Sequence, residues 1–596
     1  MTDFVVNDFS LRIATPNGTG SQTSNGIIFK TLFEMGLAAS AKNLFPSNIQ
    51  GLPTWYQIRV SPGGWQARRE QWEVLVALNP ATIDQDLREL APGSVVIDNA
   101  DYNRTPEAFA GFDRYSVPLD TLSRKSFSDA KLRPRLRNMI YVGVIAELFD
   151  LDMECMHETV RRTFNRKDKV VAANIDAIQV GIDYAKENFT RQHPYRYRKA
   201  NQTTGKIAME GNEAAGLGTI FGGCSVVAWY PITPASSLAD AVVDHARKLR
   251  TGPNGERRIA IIQAEDELAA IGMAVGAGWA GARAMTSTSG PGISLMGENL
   301  GLAYYAEVPC VVFDVQRVGP STGLPTRTQQ SDLLQVAYLS HGDTRFPILF
   351  PATPTDAFEL SWKAFDIAER FQTPTFVLSD LDLGMNTWIC DTPAYPDRPF
   401  DRGKVLDDEA LGKLERWGRY LDVDGDGVPW RTVPGRNRDL RAAFFTRGSG
   451  HTEYATYSED DKVYQRNLDR LARKIANMAP HLPEPEIVTT TGKPTTGLIA
   501  YGSTDAAVKE SLASNPGKAN YLRVRAYPFH PQVAEFVGQH ERLIVVEQNQ
   551  QGQMAQLLRA AFPAAATRIH SACHFGGLPI AASFIDAALA QTPAKA

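Results

Sequence analysis

QAEDELAAIGMAVGAGWAGARAMTSTSGPG, residues 263–292, carries the chain from a strand through a helix and a second strand into a glycine-lined turn. A short apolar run at 259–262 leads into an acidic patch of Glu265, Asp266 and Glu267. From Glu267 onward the residues are nearly all Ala, Gly, Ile, Met and Val, with Gly272, Gly276, Gly278 and Gly281 about one helical turn apart. Each glycine costs a helix roughly 1 kcal/mol against alanine. Such a helix is expected only where its bare face lets another backbone, a partner subunit or a flat cofactor approach closely. A carboxylate at the buried mouth of that helix is costly unless it has a task or a partner. By spacing alone, Glu267 also reads as a helix-N-terminal acid favoured by the macrodipole. The strand at 283–286 and the Ser289-Gly290-Pro291-Gly292 turn, which opens another helix, complete the pattern of a cofactor edge.

Working outward, residues 207–390 form the most regular region. Apolar runs at 225–228, 259–262, 284–286, 311–315 and 375–378 alternate with helical patterns at 237–249, 267–281, 293–305 and 355–371. That rhythm predicts a doubly wound parallel sheet, in which ligands gather at the carboxyl ends of the strands. Tyr230-Pro231-Ile232-Thr233-Pro234, Glu267, residues 287–292 and Gln316-Arg317 punctuate the region at such ends.

Residues 1–190 read as a separate α/β domain, with strands at 11–14, 72–78 and 95–97, a helix at about 24–38, and helical periodicity from 132 to 189. Asn17, Gly18, Gly20, Ser21 and Gln22 lie in the first strand-to-helix turn, where backbone N–H groups could meet a phosphate. A plain tight turn fits the same residues, since neither a full dinucleotide fingerprint nor a P-loop lysine is present. Arg59 is a candidate source of positive charge for that pocket. Residues 191–206 are polar, basic and without apolar period, as expected of an interdomain linker. Residues 391–490 are an irregular connecting region, and 491–596 a last α/β domain.

The 596 residues are enough for about three or four domains. A hydrophobic fraction of 43%, a charged fraction of 21% and a net charge of −4 describe an ordinary soluble protein without a nucleic-acid or anionic-membrane footprint. The opening MTDFVVNDFS has neither a cationic start nor a long apolar core, so a signal peptide is not expected, and no apolar run reaches the ~18 residues of a membrane span. A cytoplasmic location is expected. Five scattered cysteines without a CxxC read as small buried hydrophobes, so no zinc or iron–sulfur site is expected from this chain. Asp422, Asp424 and Asp426 resemble half of a calcium loop, but Val433 stands where the closing carboxylate belongs, and a solvated turn is favoured. Gly425-Asp426-Gly427 is not followed by asparagine at the spacing a magnesium–diphosphate site needs. His451 reads as structural.

Thiamine diphosphate chemistry needs a rigid carboxylate against the pyrimidine ring in a dry pocket. YPITP at 230–234, ELAAIGMAVGAGWAG at 267–281, TSTSGPG at 286–292, PCVVFDVQRVGPSTGLPTRTQQSD at 309–332 and VVEQNQQGQMAQLLR at 545–559 together resemble the α subunit of 2-oxoacid:ferredoxin oxidoreductases. The similarity is greatest to the 2-oxoglutarate type, in which a γ domain is fused in front of α. The resemblance implies a γ-type α/β domain, a pyrimidine-binding domain of the thiamine fold and a transketolase-C-like α/β domain. It implies that Glu267 activates the aminopyrimidine, that Thr233 and Arg317 contact the substrate carboxylate, and that Thr326 and Arg327 are further substrate or loop contacts. Tyr230, Pro231, Ile232, Ser289 and Gly290 would border the thiamine. The γ-side loop residues Asn17, Gly18, Gly20, Ser21 and Gln22 would serve coenzyme A. Magnesium and a [4Fe–4S] cluster are then expected on a separate β subunit that completes the thiamine site, in a dimer of αβ heterodimers that reduces ferredoxin. A non-oxidative thiamine enzyme and a non-catalytic assembly subunit are the alternatives.

Overall fold

Alternating apolar runs and amphipathic helices build one large sheet in the first of two units and two sheets in the second. The computed structural model describes residues 4–46 and 52–591. The first unit comprises Met1–Met209 with Asn386–Thr392, and the second Glu210–Met385 with Pro393–Ala596.

In the first unit, strand Phe9–Pro16 lies antiparallel to Pro53–Val60 and parallel to Val74–Ala77. Val95–Asn99 and Asp113–Val117 extend the parallel side, and Ala39–Leu44 extends the antiparallel side. Side chains alternate across a strand. Val74 and Val76 therefore enter the main core, while Leu75 and Ala77 enter a smaller cluster with Trp72 and Phe109. Helices Arg133–Phe149 and Asp168–Asn188 cross at glycines: a Cβ at Gly143 would lie 1.9 Å from the Ile178 carbonyl oxygen, and one at Gly181 2.0 Å from that of Ile140.

Three expectations are corrected here. Residues 191–206 are not a free linker, because Tyr195–Arg196 pairs with Val5–Val6 and the buried Tyr197 ring stacks 4.4 Å from Phe9. Aromatic residues in a polar string bury themselves without any apolar period. The central domain ends before Thr387–Asp391, which pairs with Ala39–Leu44 in the first unit's sheet. Arg59 sits opposite Ser10, at the far end of the strand pair from Asn17, and donates to the Ala67 carbonyl.

In the second unit, Ala260–Gln263, Val226–Trp229, Ala284–Thr288, Cys310–Gln316, Pro374–Asp380 and Ile348–Leu349 run parallel in that spatial order. Ala526–Tyr527, from the C-terminal stretch, closes the edge antiparallel to Ile348–Leu349. A second sheet orders Glu486–Val488, Asn520–Arg523, Thr496–Ala500, Arg542–Glu547 and Ile569–Cys573. The expected α/β architecture with a doubly wound parallel sheet is present. The connecting region docks through helix Asp461–Met478, whose Arg470 and Lys474 bury their charges against Glu307.

Candidate active site

The strand order of the central sheet reverses between Val226–Trp229 and Ala284–Thr288: the chain leaves the first for Ala260–Gln263 and returns past it to the second. Crevices open at the carboxyl ends of strands at such a switch point. Tyr230 and Ser289 follow these two strands directly, and Glu267 begins the helix that joins Gln263 to Ala284.

Two acids meet at the start of helix Glu267–Trp279, and they divide the work. Asp266 is the N-cap, accepting from the Ala269 N–H at 2.7 Å. That bond serves the orphan donors at the helix mouth and leaves Glu267 without a capping role. Glu267 is only 7% exposed, and its carboxylate has no hydrogen bond or ion pair among the described residues. It lies against Gly292, where a Cβ would stand 2.8 Å from Glu267 Cγ and 2.0 Å from Thr288 Oγ1. Glycine is required there by the approach of the acid. The hydroxyls of Ser287 and Ser289 are buried nearby in sequence and also lack partners among the described residues. Open hydrogen-bonding valences beside a bare glycine suit a flat heterocycle such as an aminopyrimidine.

Arg317 follows Gln316 at the end of the neighbouring strand. Its Nη1 donates to the Thr233 carbonyl at 2.7 Å, which ties the 230–234 loop to this strand end, and its buried Nε has no partner. Burial lowers its pKa, and the charge of Asp332 opposes that shift. Arg317, Gly290, Ser294, Gln335, Asn549 and Phe575 are among the residues lining a cavity of about 600 Å³. Thr326 and Arg327 are not among its walls. Arg327 instead donates to the Thr326 carbonyl at 2.9 Å, in a loop bridged between Val318 and Leu324. Tyr230 and Pro231 are exposed, and Ile232 and Thr233 are half-buried.

The loop that carries these residues is fastened by carboxamides. The Gln330 N–H donates to Gln548 O at 2.7 Å, and its carbonyl accepts from Asn549 Nδ2 at 3.0 Å and the Tyr501 hydroxyl at 3.2 Å. Gln553 holds the next turn by donating to Ser331 O and accepting from the Leu334 N–H. The sequence places the run Gln548–Gln553 in a separate domain, and nothing in its local pattern says that it grips residues 330–334.

In the first unit, Gly18 and Gly20 take φ of 82° and 81°, and the helix Ser21–Glu34 starts earlier than its apolar period suggests. Gly18, Gly20 and Gln22 are exposed, whereas Ser21 is buried with its hydroxyl 2.8 Å from Thr15 Oγ1. The Asn17 N–H donates to Leu52 O. Asn138 donates to the Thr19 carbonyl, and the Arg135 side chain approaches Gly20. Neither was singled out from sequence, because both arrive from a helix more than a hundred residues away.

Among the described residues, no group of three or more His, Cys, Asp and Glu is placed to hold a metal ion, and no helix is long and apolar enough to cross a membrane. Lys404 pairs with Asp424 and Asp426, Arg473 pairs with Asp422, and Asp422 also accepts from the Gly425 and Gly427 N–H groups. Those acids are occupied by cations from outside the turn and by the turn's own N–H groups. Cys224, Cys310 and Cys390 are buried, and burial pushes the Cys224 and Cys310 thiols up to about 12. His451 is buried with its ring stacked 3.9 Å from Tyr420.

Residues 217–388 match the family model described as pyruvate flavodoxin/ferredoxin oxidoreductase, thiamine diphosphate-binding, and residues 10–184 match that of pyruvate ferredoxin/flavodoxin oxidoreductase. The chain is 30% identical to subunit alpha of 2-oxoacid:ferredoxin oxidoreductase 2 of Aeropyrum pernix, over 93% of each chain. It is 29% identical to 2-oxoglutarate oxidoreductase subunit KorA of Mycobacterium tuberculosis, over 93% of this chain and 87% of that one. The structure of 2-oxoglutarate:ferredoxin oxidoreductase from Magnetococcus marinus, with 2-oxoglutarate, coenzyme A and succinyl-CoA bound, superposes with a TM-score of 0.85 at 29% identity. That match covers 98% of this chain and 99% of the other.

Proposed function

We propose, from the premise that this chain belongs to the family of 2-oxoacid:ferredoxin oxidoreductase α subunits, that its substrate is 2-oxoglutarate and that Glu267 is the acid on which turnover depends. The overall reaction is oxidation of a 2-oxoacid with coenzyme A to acyl-CoA and CO2, with two electrons passing to ferredoxin. The observation that carries the reading is the unpaired, buried Glu267 carboxylate facing Gly292 at the switch point.

Thiamine diphosphate, when bound, supplies the nucleophilic carbon that such a decarboxylation requires. Glu267 would hold the pyrimidine nitrogen by a hydrogen bond, with Gly292 letting the ring lie flat and Ser289 and Gly290 bordering it. Tyr230, Pro231 and Ile232 would wall the pocket. The guanidinium of Arg317, steadied by the Thr233 carbonyl, would bind the substrate carboxylate as a planar fork. Thr326 and Arg327 would act through the shape of their loop. Asn17, Gly18, Gly20 and Gln22 would meet the phosphates of coenzyme A. Magnesium, the diphosphate grip and the [4Fe–4S] cluster would reside on the partner subunit.

The thin helix supports that partnership. A Cβ at Gly272 or Gly276 meets nothing within 4 Å, and Ile262, Leu268, Met273, Leu295 and Leu302 are all at least 39% exposed. Gly276→Leu is expected to leave the melting temperature of the isolated chain unchanged while preventing co-purification with the β subunit. Normal assembly of that variant would show that this face is not the contact.

The test is reconstitution with the β subunit and CoA-dependent viologen reduction across a panel of 2-oxoacids. The highest kcat/KM is expected with 2-oxoglutarate and no activity from the chain alone; a preference for pyruvate would overturn the substrate assignment. Arg317→Ala should raise the KM for the 2-oxoacid roughly 10–100-fold, the equivalent of one charge-assisted hydrogen bond. An unchanged KM would remove Arg317 from the substrate site.

A further inference from the structure

Between Gln316 and Asp332 the chain leaves the end of a strand, makes an exposed tip at 320–324 and comes back to where it began. The neck of this loop is stitched on both sides of Arg317. Before it, the buried Gln316 side chain accepts from the Asp332 N–H at 3.0 Å and donates to Ser379 O at 3.0 Å. After it, the Val318 N–H donates to Arg327 O at 3.1 Å. The returning arm is held in turn by the C-terminal domain. The Thr328 N–H donates to Gly577 O at 3.1 Å, and the Gln330 N–H to Gln548 O at 2.7 Å.

That hold converges on Gln330, which is 1% exposed. Its Nε2 donates to Asp380 Oδ2 at 3.1 Å and to Tyr501 O at 3.3 Å. Its Oε1 accepts from Thr504 Oγ1 at 3.2 Å and from the Gln548 N–H at 3.3 Å. The partners are tied to one another: Gln548 Nε2 donates to Thr504 Oγ1 at 3.1 Å, and Ser503 Oγ donates to Asp380 Oδ2 at 2.6 Å. The C-terminal domain leaves room for the side chain at Gly502, whose φ is 60° and where a Cβ would lie 2.8 Å from Gln330 Nε2. A reversed amide would set its oxygen against the Tyr501 carbonyl and its N–H group against the Gln548 N–H, so only the observed orientation is satisfied. A buried polar network filled at every position fixes one arrangement of the segments that it joins.

We propose that Gln330 is a positioning residue for 2-oxoacid binding: clamped by the C-terminal domain, it fixes the neck of the loop and hence the place at which Arg317 presents its guanidinium. The proposal rests on the reading of Arg317 as the substrate-carboxylate contact. The path is short and continuous. Gln330 holds the returning arm, Arg327 and Asp332 on that arm hold Val318 and Gln316, and those two residues flank Arg317. Arg317 lines the cavity and Gln330 does not, so Gln330 acts without touching substrate. A guanidinium fork binds a carboxylate well only when both of its N–H groups meet the two oxygens, and a displacement of about 1 Å is enough to spoil that fit. The C-terminal domain thereby becomes part of substrate recognition.

The experiment is a kinetic comparison of variants in the assembled αβ enzyme. Gln330→Met keeps the side-chain volume and the main-chain bonds and removes the four bonds of the carboxamide. It is expected to raise the KM for the 2-oxoacid about tenfold, as for the loss of one hydrogen bond to the carboxylate, and to leave the KM for coenzyme A native. Partial unfolding or poor assembly only removes active enzyme, which lowers the maximal rate and leaves both KM values alone. A native KM for the 2-oxoacid in Gln330→Met overturns the proposal, and so does an equal rise for both substrates. Should Gln330→Met fail to fold, Thr504→Val decides, because it takes a single donor from Oε1. A rise of roughly threefold in the same KM is expected there, and a native value overturns the proposal. Arg317→Ala separates the proposal from its premise. An unchanged KM in Arg317→Ala refutes the Arg317 reading, whereas a raised KM there beside a native one in Gln330→Met refutes the positioning role alone. The double variant should match Arg317→Ala, since nothing is left to position; effects that multiply overturn the proposal.

Discussion

Glu267→Gln, assembled with the β subunit, is expected to lower CoA-dependent 2-oxoacid oxidation by roughly 10²–10⁴-fold, the range over which a positioned acid–base group contributes. Glutamine keeps the volume that meets Gly292 and Thr288, and Asp266 keeps the helix capped. Packing, melting temperature and subunit association should therefore match those of the native protein. Only the negative charge and the strong acceptor are lost. The measurement is single-turnover CO2 release together with viologen reduction, run beside a thermal melt. Turnover within threefold of native would remove Glu267 from the chemistry, whatever the family resemblance. Gly292→Ala should lower activity through a different route, since its Cβ enters the space that Glu267 and Thr288 now share. That variant is expected to melt earlier as well.

The largest effect on stability is expected at Glu307, far from any proposed chemistry. Its carboxylate is fully buried and accepts from Arg470 Nη1 at 3.1 Å and from Lys474 Nζ at 2.7 Å, while Arg419 donates to its main-chain carbonyl. These contacts join helix Asp461–Met478 and the irregular region before it to the central sheet. Removing one member of a buried ion cluster strands the others, at a cost of about 3–5 kcal/mol. Glu307→Gln should therefore lower the unfolding free energy of the second unit by about that amount. A loss below about 1 kcal/mol would mean that water reaches Arg470 and Lys474. A compensating Lys474→Met should recover part of the loss.

The same cluster sets an acid limit. Burial alone would raise the Glu307 pKa, but Arg470 and Lys474 outweigh it and bring the group down to about 2 from an ordinary 4.5. A folded-state pKa below the unfolded one gives stability that is complete above about 4.5 and is lost as pH falls towards 2. Denaturation midpoints measured across that window should fall in the native chain. The Glu307→Gln chain should show a shallower dependence.

How far the sequence reaches can be judged residue by residue. The five central strands of residues 207–390, the helix starting at Glu267 and the turn at Ser289–Gly292 were readable because each rests on local properties. Those properties are an apolar run of strand length, a glycine that costs a helix stability, and a proline inside a first turn. Packing overrode local pattern elsewhere. Tyr195–Arg196 and Tyr197 are absorbed into the first unit by aromatic stacking, and Thr387–Asp391 joins that unit's sheet as a strand that its local neighbourhood assigns to the central domain. Arg59 could not be placed from sequence, because strand pairing, which puts it opposite Ser10, decides which end of the sheet it occupies.

By itself, then, the sequence determined the α/β architecture, the acid at the head of a thin helix, and the order of motifs that marks the family. Those features depend on backbone preferences and burial within a few turns of chain. The tertiary structure alone decided which groups meet and which acids are already spoken for. Asp266 takes the cap and leaves Glu267 unpaired, and carboxamides from a distant domain fasten the loop after Arg317. The physical reason is that a charge acquires its character from the groups and the water left around it, and folding brings those together from positions that are remote in the chain.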